Sequence, residues 1–219
     1  MRTHSLDQSI DCVVYIATAL QPSQVERSLL SLYAQSHRPH SILLAGGQRT
    51  CSQRKDIDVL LANLMALPDF PTVIWTSRED SSADIGRGAS LNRAIKSATG
   101  DYLVILNGGD VLYGRACETL LDRLHGADAA IAIGNLHSVE VDVYAQEDFV
   151  QAVGTRLTPR PFSDVRDLLS RGDCPYHIFL VDRARLPPQV LHFDESLQGG
   201  TECDFLVRAA FCVAIDFSL

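Results

Sequence analysis

An α/β fold is predicted: a mostly parallel central sheet that turns antiparallel in its C-terminal portion. Three observations carry this. Short apolar runs that do not alternate read as strands buried on both faces: Cys12-Val13-Val14-Tyr15-Ile16-Ala17, Ile42-Leu43-Leu44, Thr72-Val73-Ile74-Trp75 and Leu103-Val104-Ile105-Leu106. Between them lie segments with apolar residues at helical spacing. After Gly126 the pattern changes. The stretch 136–145 carries Val139, Val141 and Val143 on one side, as a half-exposed antiparallel strand does.

The first strand ends in Thr18. Ser23 and Glu26 read as a capping box behind Pro22, opening a helix with Val25, Leu29, Leu32 and Tyr33 on one face. The strand at 42–44 runs out through Ala45-Gly46-Gly47. A helix near 56–66 turns Ile57, Leu60, Leu61 and Leu64 inward. Pro68 and Pro71 bracket a loop before the strand 72–75. The polar stretch 77–88 reads as a loop or an irregular helix entry, and Leu91, Ala94, Ile95 and Ala98 stripe the next helix, which Gly100 is expected to cap. The strand 103–106 comes next, then a helix with Ala116, Leu120, Leu121 and Leu124 on one face, stopped by Gly126. Alternating strands and helices of this length argue for a parallel sheet. Beyond it, 129–133 is an apolar run and 149–161 gives no clear period. Val165, Leu168 and Leu169 suggest a short helix, 178–181 a strand, 201–210 a helix with Phe205 and Ala209 inward, and 213–215 a last strand.

At 219 residues the chain is long enough for one sizeable core, so one domain over 1–219 is expected. The first half, to about 115, is of the nucleotide-binding type; the second, from about 116, is mixed and suited to a second substrate. The formal net charge of −8 argues against nucleic acid as a partner. The first residues have no apolar core of a signal peptide, and no run reaches the length of a membrane span. The six cysteines form no C-x-x-C pair; Cys12 and Cys212, in apolar runs, read as core thiols, and a reduced, cytoplasmic protein is expected.

The carboxyl end of the strand 103–106 carries the most chemistry. It runs into Asn107-Gly108-Gly109-Asp110, where two glycines remove bulk and an amide and a carboxylate stand at the sheet edge that binds ligands in open α/β sheets. Asn-Gly is also a hairpin signal, but the strand does not alternate and a helix comes after it. Neither G-x-G-x-x-G after the first strand nor G-x-x-x-x-G-K-[ST] occurs. The histidines show no metal-ligand spacing, and His125, His137 and His192 read as structural or solvated.

Four stretches together resemble the family 2 glycosyltransferases of the GT-A fold, a Rossmann-like three-layer sandwich. Val13 to Thr18 with Leu29-Leu30-Ser31-Leu32-Tyr33-Ala34-Gln35-Ser36 is similar to the opening strand and its S-L-x-x-Q-S/T helix. Leu91-Asn92-Arg93-Ala94-Ile95 to Gly100-Asp101-Tyr102 is similar to the N-x-G-I…A-x-G-D-Y approach. Leu106-Asn107-Gly108-Gly109-Asp110 resembles the L-N-[SAG]-G-D variant of the D-x-D segment in polysaccharide-building transferases. Phe193-Asp194-Glu195-Ser196-Leu197 and Glu202-Cys203-Asp204-Phe205-Leu206-Val207-Arg208 resemble F-D-E-x-L and [DE]-D-x-D-[FL]-x-x-R, and His177 matches a histidine ahead of a strand.

The resemblance implies an inverting transfer of sugar from a nucleotide-sugar donor to a glycan or other hydroxyl acceptor, in a protein that can also sit peripherally at a membrane. Glu202 would be the general base, its pKa raised by burial beside a sugar. Thr18 and Gln21 would face the base or ribose, Gly46 and Gly47 would let the nucleotide lie on the backbone, and Arg87 would neutralise the diphosphate. Asn92 would orient its loop, and Asn107 with Gly108 would meet ribose or diphosphate. Asp204 and His177 would serve the acceptor. Asp110 would contact Mg²⁺ or Mn²⁺, directly or through water. The sequence departs from the pattern at Ala45, where the family carries an acid, at Asn107 and Gly109 in the D-x-D positions, and at Glu202 in place of an aspartate. Those departures define the alternative: a GT-A protein that binds a nucleotide or glycan, or scaffolds a partner, without turnover.

Overall fold

Successive side chains of β1 (Ile10–Ile16) point to opposite faces, and both faces are apolar. Cys12, Val14 and Ile16 enter one core and Val13 the other. A strand of this kind needs cover on both sides, and the chain supplies it. The computed structural model describes residues 8–17, 20–46, 51–76, 86–134, 137–144, 149–157, 164, 166–167, 170 and 178–217. Its elements are β1, α1 (Pro22–Tyr33), β2 (Ser41–Gly46), α2 (Cys51–Met65), β3 (Thr72–Trp75), α3 (Arg87–Ser97), β4 (Tyr102–Asn107), α4 (Ala116–Gly126), β5 (Ile131–Ile133), β6 (His137–Tyr144), β7 (Phe149–Leu157), β8 (Phe179–Asp182), α5 (Thr201–Ala210) and β9 (Ile215–Asp216).

Seven strands form one sheet in the order β3-β2-β1-β4-β8-β5-β9, and β6 with β7 forms a second. The pairs β1–β2, β1–β4, β2–β3 and β5–β9 are parallel; β8 runs antiparallel between β4 and β5. β4 is the middle strand, as its unbroken apolar run predicts. Leu91, Ala94 and Ile95 of α3 and Phe205, Leu206 and Ala209 of α5 cover one face. Val25, Leu29 and Leu32 of α1, Ile57, Leu61 and Leu64 of α2, and Leu120, Leu121 and Leu124 of α4 cover the other. The result is the expected mostly parallel, three-layer sandwich.

Several local expectations are corrected. The helix α1 opens earlier than a Ser23–Glu26 box would set it. Gln21 is the N-cap and Pro22 fills the first turn, where its missing N–H costs nothing. Gln24, not Glu26, reaches back, its Oε1 accepting the Gln21 N–H at 2.9 Å. Arg87 and Gly88 belong to the first turn of α3, a helix entry rather than a loop. Gly100 does not cap α3, whose C-cap is Ala98; a Cβ at Gly100 would lie 2.9 Å from the Asp11 backbone nitrogen, so the residue is small because β1 passes against it. Gly126 does not stop α4 as a left-handed cap. The cap is Ala127, and Asp128 takes the positive φ of 50°. Cys12 is a core thiol and burial pushes its pKa up, but Cys212 is exposed beyond the end of α5. The stretch 149–161 contains β7, paired antiparallel with β6 around an irregularity at Glu140/Val141. Val165, Leu168 and Leu169 lie outside the described residues.

One buried carboxylate fastens the sheet at its amino end. Asp11 is fully buried in β1. Its Oδ1 accepts the Ser41 hydroxyl of β2 at 2.7 Å, and its Oδ2 accepts the N–H groups of Thr99 and Gly100, ahead of β4, at 2.6 and 2.7 Å. Asp11→Ala leaves three donors without their acceptor, and unmade buried hydrogen bonds are expensive. We expect a loss of about 3 kcal/mol, measured in urea as a lower midpoint at unchanged slope. Ser41→Ala, which removes one donor, should lose about 1 kcal/mol.

Candidate active site

Strands β1, β2 and β4 end level, because Tyr15 pairs with Ala45 on one side and with Asn107 on the other. Their carboxyl edge is where an open α/β sheet holds a ligand. Beyond β4 the chain turns through Gly108-Gly109, and Gly109 takes φ of 95°, a backbone region that side chains disfavour. Two polar residues on the inner face of α1, Ser28 and Ser31, together with Gln35 just past its end, hold this turn and the segment up to the start of α4. Ser28 Oγ accepts the Gly109 N–H at 2.7 Å and donates to the Asp110 carbonyl at 2.8 Å. Ser31 Oγ accepts the Leu112 N–H at 3.1 Å. Gln35 donates to the Tyr113 carbonyl at 2.8 Å and accepts the Cys117 N–H at 3.1 Å. Sequence reasoning gives these three no role. Their signal is nonetheless present: Ser28 and Ser31 share a helix face with Val25, Leu29 and Leu32, and Gln35 continues the same spacing just past the helix end.

Arg87 lies across the edge. Its guanidinium stacks over the Tyr15 ring at 4.2 Å, and its Nη2 donates to Asn107 Oδ1 at 2.5 Å. The same guanidinium pairs with Glu202, its Nε donating to Oε1 at 2.7 Å and its Nη2 to the same oxygen. Glu202 Oε2 accepts the Thr201 hydroxyl at 2.8 Å. Burial pushes the Glu202 carboxyl up, but the Arg87 charge, the hydrogen bonds from Arg87 and Thr201, and a backbone N–H outweigh it, and the pKa lies below the usual glutamate value. The expectation that burial raises it is therefore corrected: a guanidinium sits on the carboxylate.

Aromatic packing delivers Glu202 there. Phe205, one turn along α5, stacks on Phe179 of β8 at 5.3 Å and leans on Phe193 at 5.1 Å. The loop 193–195 is pinned in turn by Asn92, which is buried in α3. Its Nδ2 is shared among the Phe193 carbonyl at 2.9 Å, Glu195 Oε1 at 2.9 Å and His192 Nε2 at 3.1 Å, and its Oδ1 accepts the Phe193 N–H at 2.8 Å. A Cβ at Gly88 would meet the Asp194 carbonyl oxygen at 2.7 Å, so α3 and this loop touch backbone to backbone. An open cavity of about 520 Å³ lies beside them, lined by His192, Asp194, Glu195, Ser196 and Arg208.

The other candidates divide. Gln21 caps α1 just past the end of β1. Gly46 ends β2, where a Cβ would be 3.3 Å from the Ile16 carbonyl oxygen and 3.6 Å from the Trp75 ring. Gly108 makes room for this chain's own atoms: a Cβ would fall 2.5 Å from Leu20 and 3.0 Å from the Tyr15 carbonyl oxygen, which accepts the Gly108 N–H at 2.7 Å. Asp204 pairs with Arg208 at 2.9 Å along α5, and Arg208 also donates to the His192 carbonyl at 2.5 Å. Thr18, Gly47 and His177 lie outside the described residues.

For a divalent ion the side chains of the turn offer one carboxylate, which would need a donor's phosphates and water to complete its coordination. Asn107 offers a neutral oxygen already engaged by a guanidinium, Gly109 offers no side chain, and Asp110 is the turn's one carboxylate. Among the described residues no group of three or more His, Cys, Asp or Glu could hold a metal ion.

The sign of the Glu202 shift makes a prediction. A lowered folded-state pKa adds stability that is fully present above the ordinary glutamate value of about 4.3 and is lost as pH falls through the lowered one. The stability lead of wild type over Glu202→Gln should be flat near neutral pH and shrink in acid, as read from urea unfolding at a series of pH values. A lead that grows on acidification contradicts the pairing.

Comparison with known proteins gives a consistent answer. Residues 80–184 match the model of glycosyl transferase family 2. The succinoglycan biosynthesis protein ExoO of Rhizobium meliloti (strain 1021) is 26% identical over 216 residues, which is 97% of this chain and 59% of that protein. The S. aureus TarS 1–349 structure in complex with UDP-GlcNAc superposes with a TM-score of 0.65 at 12% identity, over 96% of this chain and 56% of that one. The mannosyltransferase PcManGT from Pyrobaculum calidifontis, in complex with GDP-Man and Mn²⁺, gives 0.61 at 15% identity, over 94% and 54%. The chain thus spans little more than half the length of these three relatives. With the matched segment running from α3 through β8 and the sandwich shared with these structures, the chain is similar to glycosyl transferase family 2 and has the GT-A fold.

Proposed function

We propose that this chain transfers a sugar from a nucleotide-sugar donor to a hydroxyl of a glycan acceptor, with inversion at the anomeric carbon, during assembly of a polysaccharide. One observation carries the reading: a carboxylate, a guanidinium and an amide meet at the carboxyl ends of β1 and β4, where Arg87 touches both Glu202 and Asn107. Such a transfer needs a base for the acceptor, positive charge for the departing diphosphate and groups that hold both substrates in line. The match of residues 80–184 to glycosyl transferase family 2 supports it, as do the succinoglycan role in the name of ExoO and the UDP-GlcNAc held by TarS.

In this reading the acceptor hydroxyl gives its proton to Glu202 as its oxygen bonds to the anomeric carbon. The bond from that carbon to the diphosphate breaks on the opposite side, and the nucleoside diphosphate leaves with the electron pair. Arg87 and Asn107 meet the diphosphate, and Gln21 and Gly46 border the nucleoside. Asn92 positions the loop 193–195, and the cavity at His192, Asp194 and Glu195 takes acceptor hydroxyls. The first half of the chain, to about 115, binds the donor and the remainder the acceptor. Free cysteines at 12, 117, 203 and 212 support work in the cytoplasm. Among the described residues no helix is long and apolar enough to cross a membrane.

A second reading, binding without turnover, is favoured by one observation: Arg87 occupies the oxygen of Glu202 that a base would use. A panel of nucleotide sugars read by thermal shift, followed by transfer assays, separates the two. The donor should raise the melting temperature by mass action. Glu202→Gln keeps size and hydrogen bonding but removes basicity, so turnover should fall by about 10²-fold or more while donor binding is not weakened. Full turnover in Glu202→Gln assigns the base elsewhere. Donor binding by wild type with no transfer to any acceptor favours the second reading.

A further inference from the structure

We propose that Arg87 supplies the counter-charge of the leaving diphosphate in the place a divalent cation would take, and that donor binding hands its guanidinium over from Glu202 to the diphosphate. This deepens the transferase reading and rests on it. The argument starts at Asn107, the first D-x-D position. An aspartate there would direct a lone pair at a metal ion; here the amide oxygen is directed at a guanidinium 2.5 Å away. Asn107, unlike an aspartate, adds no charge to draw a second cation in beside the guanidinium, and Asp110 is left as the turn's one carboxylate. The site has exchanged a carboxylate and a metal ion for an amide and a fixed arginine.

The guanidinium is also built to move between partners. Arg87 stands on the first turn of α3, so its backbone is fixed, while its side chain, 23% exposed, reaches over Tyr15. The ring face favours a cation whichever anion lies at its edge. At present that anion is Glu202, whose side chain is 14% exposed and whose other oxygen is held by Thr201. A diphosphate carries more charge and more acceptor oxygens than one carboxylate, and it binds a planar guanidinium in the same two-pronged way. Once the guanidinium turns to the diphosphate, Glu202 keeps its Thr201 bond and regains a free oxygen for the acceptor proton. The base is thus freed only when a donor is present.

The test is calorimetric titration of UDP and of GDP into the full chain, in EDTA and in excess Mn²⁺. Wild type should bind one of them with a dissociation constant that agrees between the two conditions within about threefold. Arg87→Met should weaken that binding by about tenfold or more, the size of a lost charge-assisted contact, and Arg87→Lys should recover part of it. Glu202→Gln should bind more tightly than wild type, because no ion pair must open first. That gain should vanish in the Arg87→Met/Glu202→Gln double variant, which also removes both partners and so leaves no unpaired buried charge to unfold the site. A gain that survives in the double variant means simple repulsion by Glu202 and overturns the handover. Binding that requires Mn²⁺, or that Arg87→Met leaves unchanged, overturns the proposal while leaving a transferase in place. Failure of both nucleotides to bind in both conditions overturns the proposal together with the transferase reading beneath it.

Discussion

The carboxylate of Asp11 is the constraint on which the rest of the sheet depends. It stands where three strand segments meet, and its two oxygens take donors from both neighbours of β1. A buried charge is tolerated when hydrogen bonds replace its water, and these do. The bonds fix where β2 starts beside β1 and where the chain leaves α3 for β4. Registers set at one end propagate at a constant rise per residue, so the same contacts decide that Tyr15, Ala45 and Asn107 finish together at the other end. The geometry at Arg87 is a downstream result. A slip of one residue in β4 would turn Asn107 to the opposite face.

The sequence made the layered part of the fold legible because its signals are local. The runs at 72–75 and 201–210 coincide with β3 and α5, and the bracketing prolines and the polar stretch before Thr201 define their ends without help from distant residues. Helix starts and stops were less legible. Gln21 caps α1 although Ser23 is the stronger capping type, because Pro22 is best placed in the first turn. The hairpin β6–β7 was half legible. Its second strand, Phe149–Leu157, contains Gly154 and Arg156 and carries no steady alternation, and the register shift near Glu140 breaks the pattern on the partner.

The site was legible in its membership more than in its contacts. Glu202, Arg87 and Asn107 each stand out in the sequence, but nothing in their spacing says that one guanidinium touches the other two. That contact depends on where α5 begins, which Phe205 decides by packing on Phe179 and Phe193. The glycines misled for a related reason. Gly108 suggested room for a ligand, and the room is taken by Leu20; Gly88 likewise lies against the Asp194 backbone. A glycine reports a close approach without naming what approaches.

The antiparallel strand β8 has a consequence for how such a chain can change. Ile133, the last residue of β5, lies opposite Phe179, the first of β8, and the Gly134 N–H still bonds the Ile178 carbonyl at 3.2 Å. The β6–β7 hairpin, which forms a sheet of its own, lies in the chain between these two points, which are about 5 Å apart. That gap is at the edge where β4 delivers Asn107. An excursion with its two feet together imposes almost no length on its contents, since closing a longer loop costs little more than closing a short one. The sheet and the Arg87 cluster can therefore be kept while the excursion is lengthened, trimmed or exchanged, a socket in which one portion of the molecule is replaceable without refolding the other.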